Sequence, residues 1–143
     1  GGDLLHQMDR AAHLRLAEEL LNTARIITGS PLDNFRTVSI NIDDNPDQVH
    51  EKLLAAVREV NTPDGTLILV DMFGGTPSNL SLSLLSRGKI EIITGANLPM
   101  IVEAAGSSHK VNLAEMISLL IASGQRGIRS AGSILETNVI AAK

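Results

Sequence analysis

Apolar residues in this chain fall into two alternating spacings. Leu16, Leu20, Leu21, Ala24 and Ile27 recur every three or four positions, with Glu18, Glu19 and Arg25 between them, which predicts a helix over 16–27. Gly29-Ser30-Pro31 stops it. Thr37 to Ile42 alternates polar with apolar and predicts a strand with one more polar face. Asn45-Pro46-Asp47-Gln48 has the form of a capping box with proline at the first helical position. The helix behind it directs Val49, Leu53, Leu54, Val57 and Val60 inward. After a turn over 61–65, Thr66 to Val70 runs without polar alternation, as a strand buried on both faces does.

Ser78 to Leu85 reads as a short helix ended near Gly88, and Ile90 to Thr94 as a second buried strand. Gly95-Ala96-Asn97-Leu98-Pro99-Met100 then repeats the order of strand, glycine turn and proline-started helix. Leu113, Met116, Leu119 and Leu120 mark the apolar side of another helix, opened at Asn112 and ending at Gly124. Gly127 to Arg129 is expected as a short edge strand, and the tail to Lys143 is loosely specified. Strands alternating with helices imply βαβ units, so the expected fold is a single doubly wound α/β domain with a mostly parallel sheet.

Composition narrows the function. The 143 residues suit one domain with a real core. With two Phe, no Trp, no Tyr and a net charge of −4, the chain has little with which to stack bases or grip a phosphate backbone. It has no cysteine, which excludes disulfides, thiolate metal sites and a cysteine nucleophile. Gly1-Gly2 in place of Met is expected as an expression remnant, and a cytoplasmic setting is the default.

The chemistry concentrates in Asp71-Met72-Phe73-Gly74-Gly75-Thr76-Pro77-Ser78-Asn79. A carboxylate at a strand's carboxyl end, beside a glycine turn that opens a helix, is where an open α/β sheet keeps its sites. Glycines admit an anion to backbone N–H groups, and a helix start adds positive potential. Among the histidines, His50 and His109 read as surface residues and His6 falls in an ambiguous leader. His13, just before the first helix, is the candidate nucleophile, since an imidazole oriented by a carboxylate accepts a phosphoryl group well. No metal-ligand spacing, Walker loop, Gly-x-Gly-x-x-Gly or Gly-x-Ser-x-Gly is present, so no metal and no cofactor are expected.

Three segments, His13 to Leu21, Asp71 to Asn79 and Gly95 to Met100, together resemble the IIA component of the mannose family of the bacterial sugar phosphotransferase system. The resemblance runs from about 13 to 128. It implies that His13 takes a phosphoryl group from the phosphocarrier protein HPr and hands it to a IIB domain during sugar uptake. It further implies that Asp71 orients His13, and that Gly74, Gly75 and Thr76, with Ser78 at the helix start, hold the phosphoryl oxygens. The family's members are homodimers that exchange a C-terminal strand, a part open to Gly127–Ser130.

The resemblance is weakest at the start. Where the family has a Val- and Ile-rich strand running into Thr-His-Gly, this chain has Leu4 to Ala12, and Leu14 follows His13. Asp9-Arg10 makes a poor buried strand, while Leu5, Met8, Ala12, Leu16 and Leu20 follow helical spacing. Residues 1–12 are therefore read as a diverged or expression-derived leader. Their path stays open between a strand with His13 at its tip and a helix continuous with 16–27. The alternative function is a non-phosphorylatable regulatory or interaction module of the same fold. A weaker option is an enzyme gripping a phosphorylated small molecule in the Asp71 loop.

Overall fold

A computed structural model describes residues 15–41, 43–60, 62–71, 84, 89–107 and 111–142. Helix α1 spans Leu16–Thr28 and ends at Gly29, whose φ of 68° lets its N–H return to the Arg25 carbonyl at 2.9 Å. Helix α2 spans Pro46–Val60. Its capping box closes as the pattern predicts: Asn45 N–H donates to Gln48 Oε1 at 2.8 Å, and Gln48 N–H to Asn45 Oδ1 at 2.9 Å. Strand β1 is Thr66–Leu69 and strand β2 is Ile90–Ile93. Helices α3 (Leu98–Ser107), α4 (Leu113–Arg126) and α5 (Ala131–Ala142) follow. The expected helix over 78–85 lies outside the described residues, apart from Leu84, which is fully buried.

The two strands pair in parallel, with Thr66 beside Ile90 and Leu69 beside Ile93. Each face of this small sheet meets different helices. Leu67 and Leu69 pack with Ile93, Met100, Ala104, Met116 and Leu120, and Leu69 also meets Leu21, Ala24 and Ile101 of the α1–α3 contact. Ile68 turns the other way, toward Val49 and Leu53 of α2, with Leu84 and Ile90. The absence of polar alternation in Thr66–Val70 thus reflects burial on two sides. Gly65, at φ 112°, lies so close to Lys89 that a Cβ would stand 2.8 Å from its carbonyl oxygen.

Two expectations need correction. Thr37 to Asn41 carries no strand. Val38 and Ile40 do pack against the α2 cluster, but the backbone is tied by side chains in place of a ladder. The Ser39 hydroxyl donates to Glu18 of α1 at 3.0 Å, and the Ser39 carbonyl accepts from Lys52 of α2 at 3.2 Å. Gly127 to Ser130 is likewise no edge strand. Gly127 N–H is held by Ser123 O and Ile128 N–H by Gln125 O, which extends the end of α4, while Ser130 O accepts from Ile134 and starts α5. The loosely specified tail is this helix, with Ala131 to Glu136 exposed. Smaller departures follow from packing: α4 runs past Gly124, Ile27 is 57% exposed, and His50 is half-buried.

Asp44 anchors the irregular segment. Its carboxylate accepts from Asn41 N–H at 2.9 Å and from Lys52 Nζ at 2.5 Å. The hydrogen bonds from Lys52 and Asn41 lower its pKa from the ordinary value. A depressed folded-state pKa contributes stability that is complete above the unfolded value and lost as pH falls through the folded one. Stability should therefore decline on acidification below about pH 4, and Asp44→Asn should flatten that decline in urea titrations at successive pH values. Leu120, fully buried, should cost about 2–5 kcal/mol on truncation to alanine. Ile26, 84% exposed, should cost less than about 0.5 kcal/mol in the same denaturation series.

Candidate functional site

Because β1 and β2 are parallel, their carboxyl ends open on the same rim. β1 delivers Val70 and then the half-buried Asp71; β2 delivers Thr94, Gly95 at φ 78°, and Ala96. The tips are stitched together: Val70 N–H donates to Ile93 O at 2.9 Å, and Ala96 N–H to Val70 O at 3.0 Å. The second glycine turn is thereby fixed one residue from Asp71.

Asn97 extends the construction from the sheet to the helices. Its Oδ1 accepts from Met100 N–H at 3.1 Å, which caps α3, and its Nδ2 donates to Gly124 O in α4 at 3.0 Å. Small residues let the two helices approach. A Cβ on Gly124 would sit 3.0 Å from Met100 Cε, and one on Gly127 would sit 2.6 Å from Pro99 Cγ. The signal for this role was available as an Asn three residues before the third helical position. Its second partner, 27 positions away, had no local sign.

Of the residues assigned to the site by sequence, Asp71 alone is described, at the tip of β1 and on the wall of a cavity of about 460 Å³. His13, Gly74, Gly75, Thr76 and Ser78 lie outside the described residues, as does the path of 3–13. Among the described residues no group of three His, Asp or Glu side chains could hold a metal ion. Nor is any described helix long and apolar enough to cross a membrane.

Comparison with known proteins agrees with this architecture. The family profile EIIA-man, described as "PTS system fructose IIA component", matches residues 11–121. The chain belongs to this family. It is 30% identical over 116 residues to the "PTS system mannose-specific EIIAB component" of Escherichia coli K12, an alignment covering 80% of this chain and 36% of that protein. This chain therefore spans little more than a third of the mannose-specific relatives it matches. The "PTS system sorbose-specific EIIA component" of Lacticaseibacillus casei is 26% identical over 110 residues, covering 76% of this chain and 78% of that protein. Among solved structures, a mannose/sorbose specific IIA subunit from Enterococcus faecalis superposes with a TM-score of 0.72 at 33% identity, over 81% of this chain and 86% of that one.

The Gly95–Met100 motif is, in this EIIA chain, a joint between the sheet tips, α3 and α4. Asn97→Ala removes the cap and leaves the Gly124 carbonyl without its side-chain donor. It should destabilise the protein by about 1–3 kcal/mol, measured by chemical denaturation, with Asn97→Asp recovering the cap but not the bond to α4.

Proposed function

We propose that this chain is a phosphoryl-transfer component of a sugar phosphotransferase system. His13 attacks the phosphorus of phosphohistidine on HPr; a new N–P bond forms as the bond to the HPr imidazole breaks, and that imidazole leaves. A histidine on a IIB domain then takes the group from His13 by the same exchange. Asp71 sets the His13 tautomer and supports the positive charge that grows on its ring. Backbone N–H groups around Gly74 and Gly75, with the Thr76 and Ser78 hydroxyls, hold the phosphoryl oxygens. Catalysis comes from positioning and electrostatic support, with no metal or cofactor.

One observation carries the reading: in a chain of the EIIA-man family, Asp71 stands at the carboxyl tip of a buried parallel strand pinned to a second glycine turn. The working protein is a cytoplasmic homodimer whose partners are HPr and a IIB domain or subunit, and the sheet is completed into a larger doubly wound one. A second reading, a regulatory module that binds these partners without accepting phosphate, is favoured by Leu14 after His13 and by the Asp9-Arg10 pair. Each adds bulk or charge where the acceptor reading needs a small residue or an apolar one.

Incubation with labelled phosphoenolpyruvate, enzyme I and HPr separates the two. Transfer predicts acid-labile label that His13→Ala abolishes and that Asp71→Asn slows on the order of a hundredfold. Binding of HPr in a calorimetric titration, with no label while a control IIA protein is labelled, establishes the regulatory reading instead.

A further inference from the structure

Asp71 leaves the sheet from a peptide group that a distant segment holds. A peptide unit is planar, so a bond that fixes the Val70 carbonyl oxygen also constrains the nitrogen and Cα of Asp71. That oxygen accepts from Ala96 N–H at 3.0 Å, while Val70 N–H donates to Ile93 O at 2.9 Å. The direction in which the Asp71 side chain departs therefore depends on where Ala96 stands. Ala96 lies between Gly95, at φ 78°, and Asn97. No described atom comes within 4 Å of the place a Cβ on Gly95 would take, so packing on that side does not hold the turn. Asn97 holds it instead. Its Nδ2 donates to Gly124 O at 3.0 Å and its Oδ1 accepts from Met100 N–H at 3.1 Å, both bonds half-buried. A Cβ on Gly124 would stand 3.4 Å from Oδ1 and 3.7 Å from Nδ2, so the amide lies directly against the α4 backbone.

We infer that Asn97 is a positioning residue for phosphoryl transfer: by tying the Gly95–Ala96 turn to α4, it sets the peptide plane from which Asp71 reaches the reacting histidine. The inference rests on the transfer reading above, in which Asp71 orients His13. Asn97 acts through Ala96 and Val70, not on the phosphoryl group itself. Its two bonds do separate jobs. The oxygen caps α3, a local contribution to stability. The nitrogen reaches a carbonyl 27 positions on, and this bond fixes the turn to the body of the protein. Transfer is sensitive to such fixing, since a misplacement of about 1 Å at an orienting group can cost roughly a hundredfold in rate. Stability and rate should therefore come apart when the bond to α4 is removed and the cap is kept.

Asn97→Ser makes that separation. The serine oxygen can cap Met100 N–H but is too short to reach Gly124 O as well, and it adds no charge near Asp71. Single-turnover transfer from phosphorylated HPr to the full chain is measured against HPr concentration, beside urea denaturation and NMR of the Asp71 amide and carboxyl signals. Asn97→Ser should keep a urea midpoint near that of the wild type, lower the saturating rate about tenfold or more, leave the half-saturating HPr concentration unchanged, and shift the Asp71 signals. Val49→Ala, which removes fully buried packing from the α2 cluster, should lower the midpoint and keep the wild-type rate. A wild-type saturating rate in Asn97→Ser, an equal loss of rate in Val49→Ala, or unmoved Asp71 signals in Asn97→Ser overturns the inference. A wild-type chain that takes no label while a control IIA protein is labelled sinks the transfer reading and the inference with it. A labelled wild type with an undiminished Asn97→Ser rate overturns the inference alone.

Discussion

The parallel ladder between Thr66–Leu69 and Ile90–Ile93 is the constraint on which the rest of the molecule depends. Parallel strands end at the same rim, so whatever follows each strand is brought together there. For this chain that means Asp71 after one strand and Gly95-Ala96-Asn97 after the other, joined by the bond from Ala96 to Val70. A parallel pair is also buried on both faces. Ile68 faces α2, while Leu67 and Leu69 face α1, α3 and α4, so three apolar clusters converge on four residues of chain.

The Gly95–Met100 segment, one of those that carry the family resemblance, has a mechanical role in this structure. Asn97 caps α3 with its oxygen and holds α4 with its nitrogen, and Gly124 and Gly127 clear space for Met100 and Pro99. A change at any of these positions shifts the rim that carries Asp71 without touching a phosphoryl group. Leu32 shows the same principle of packing overruling local preference. It holds a φ of 52°, unusual for a branched side chain, while only 3% exposed in the α1–α3 cluster.

Where no ladder forms, side chains take over the backbone's polar groups. Ser39 is held from both sides, through its hydroxyl by Glu18 and through its carbonyl by Lys52, and Asp44 gathers Asn41 and Lys52. These ties keep a β-like segment against the cavity that β1 also lines.

Local chemistry was readable in the sequence wherever the cause lay within one turn or one strand. The capping box at Asn45, the glycine stop of α1, the inward face of α2 and the doubly buried run at Thr66 depend on neighbours a few residues apart, and each sits where the spacing placed it. The family and the position of Asp71 at a strand tip were legible for the same reason, as motifs of fixed short spacing. Tertiary structure alone decided whether an alternating segment pairs. Thr37–Asn41 and Gly127–Ser130 have strand-like patterns, but a strand exists only when a second edge meets its N–H and C=O groups, and their bonds went to Glu18, Lys52 and the end of α4. The second partner of Asn97, in a helix 27 residues on, was set by the same long-range geometry, which no local spacing encodes.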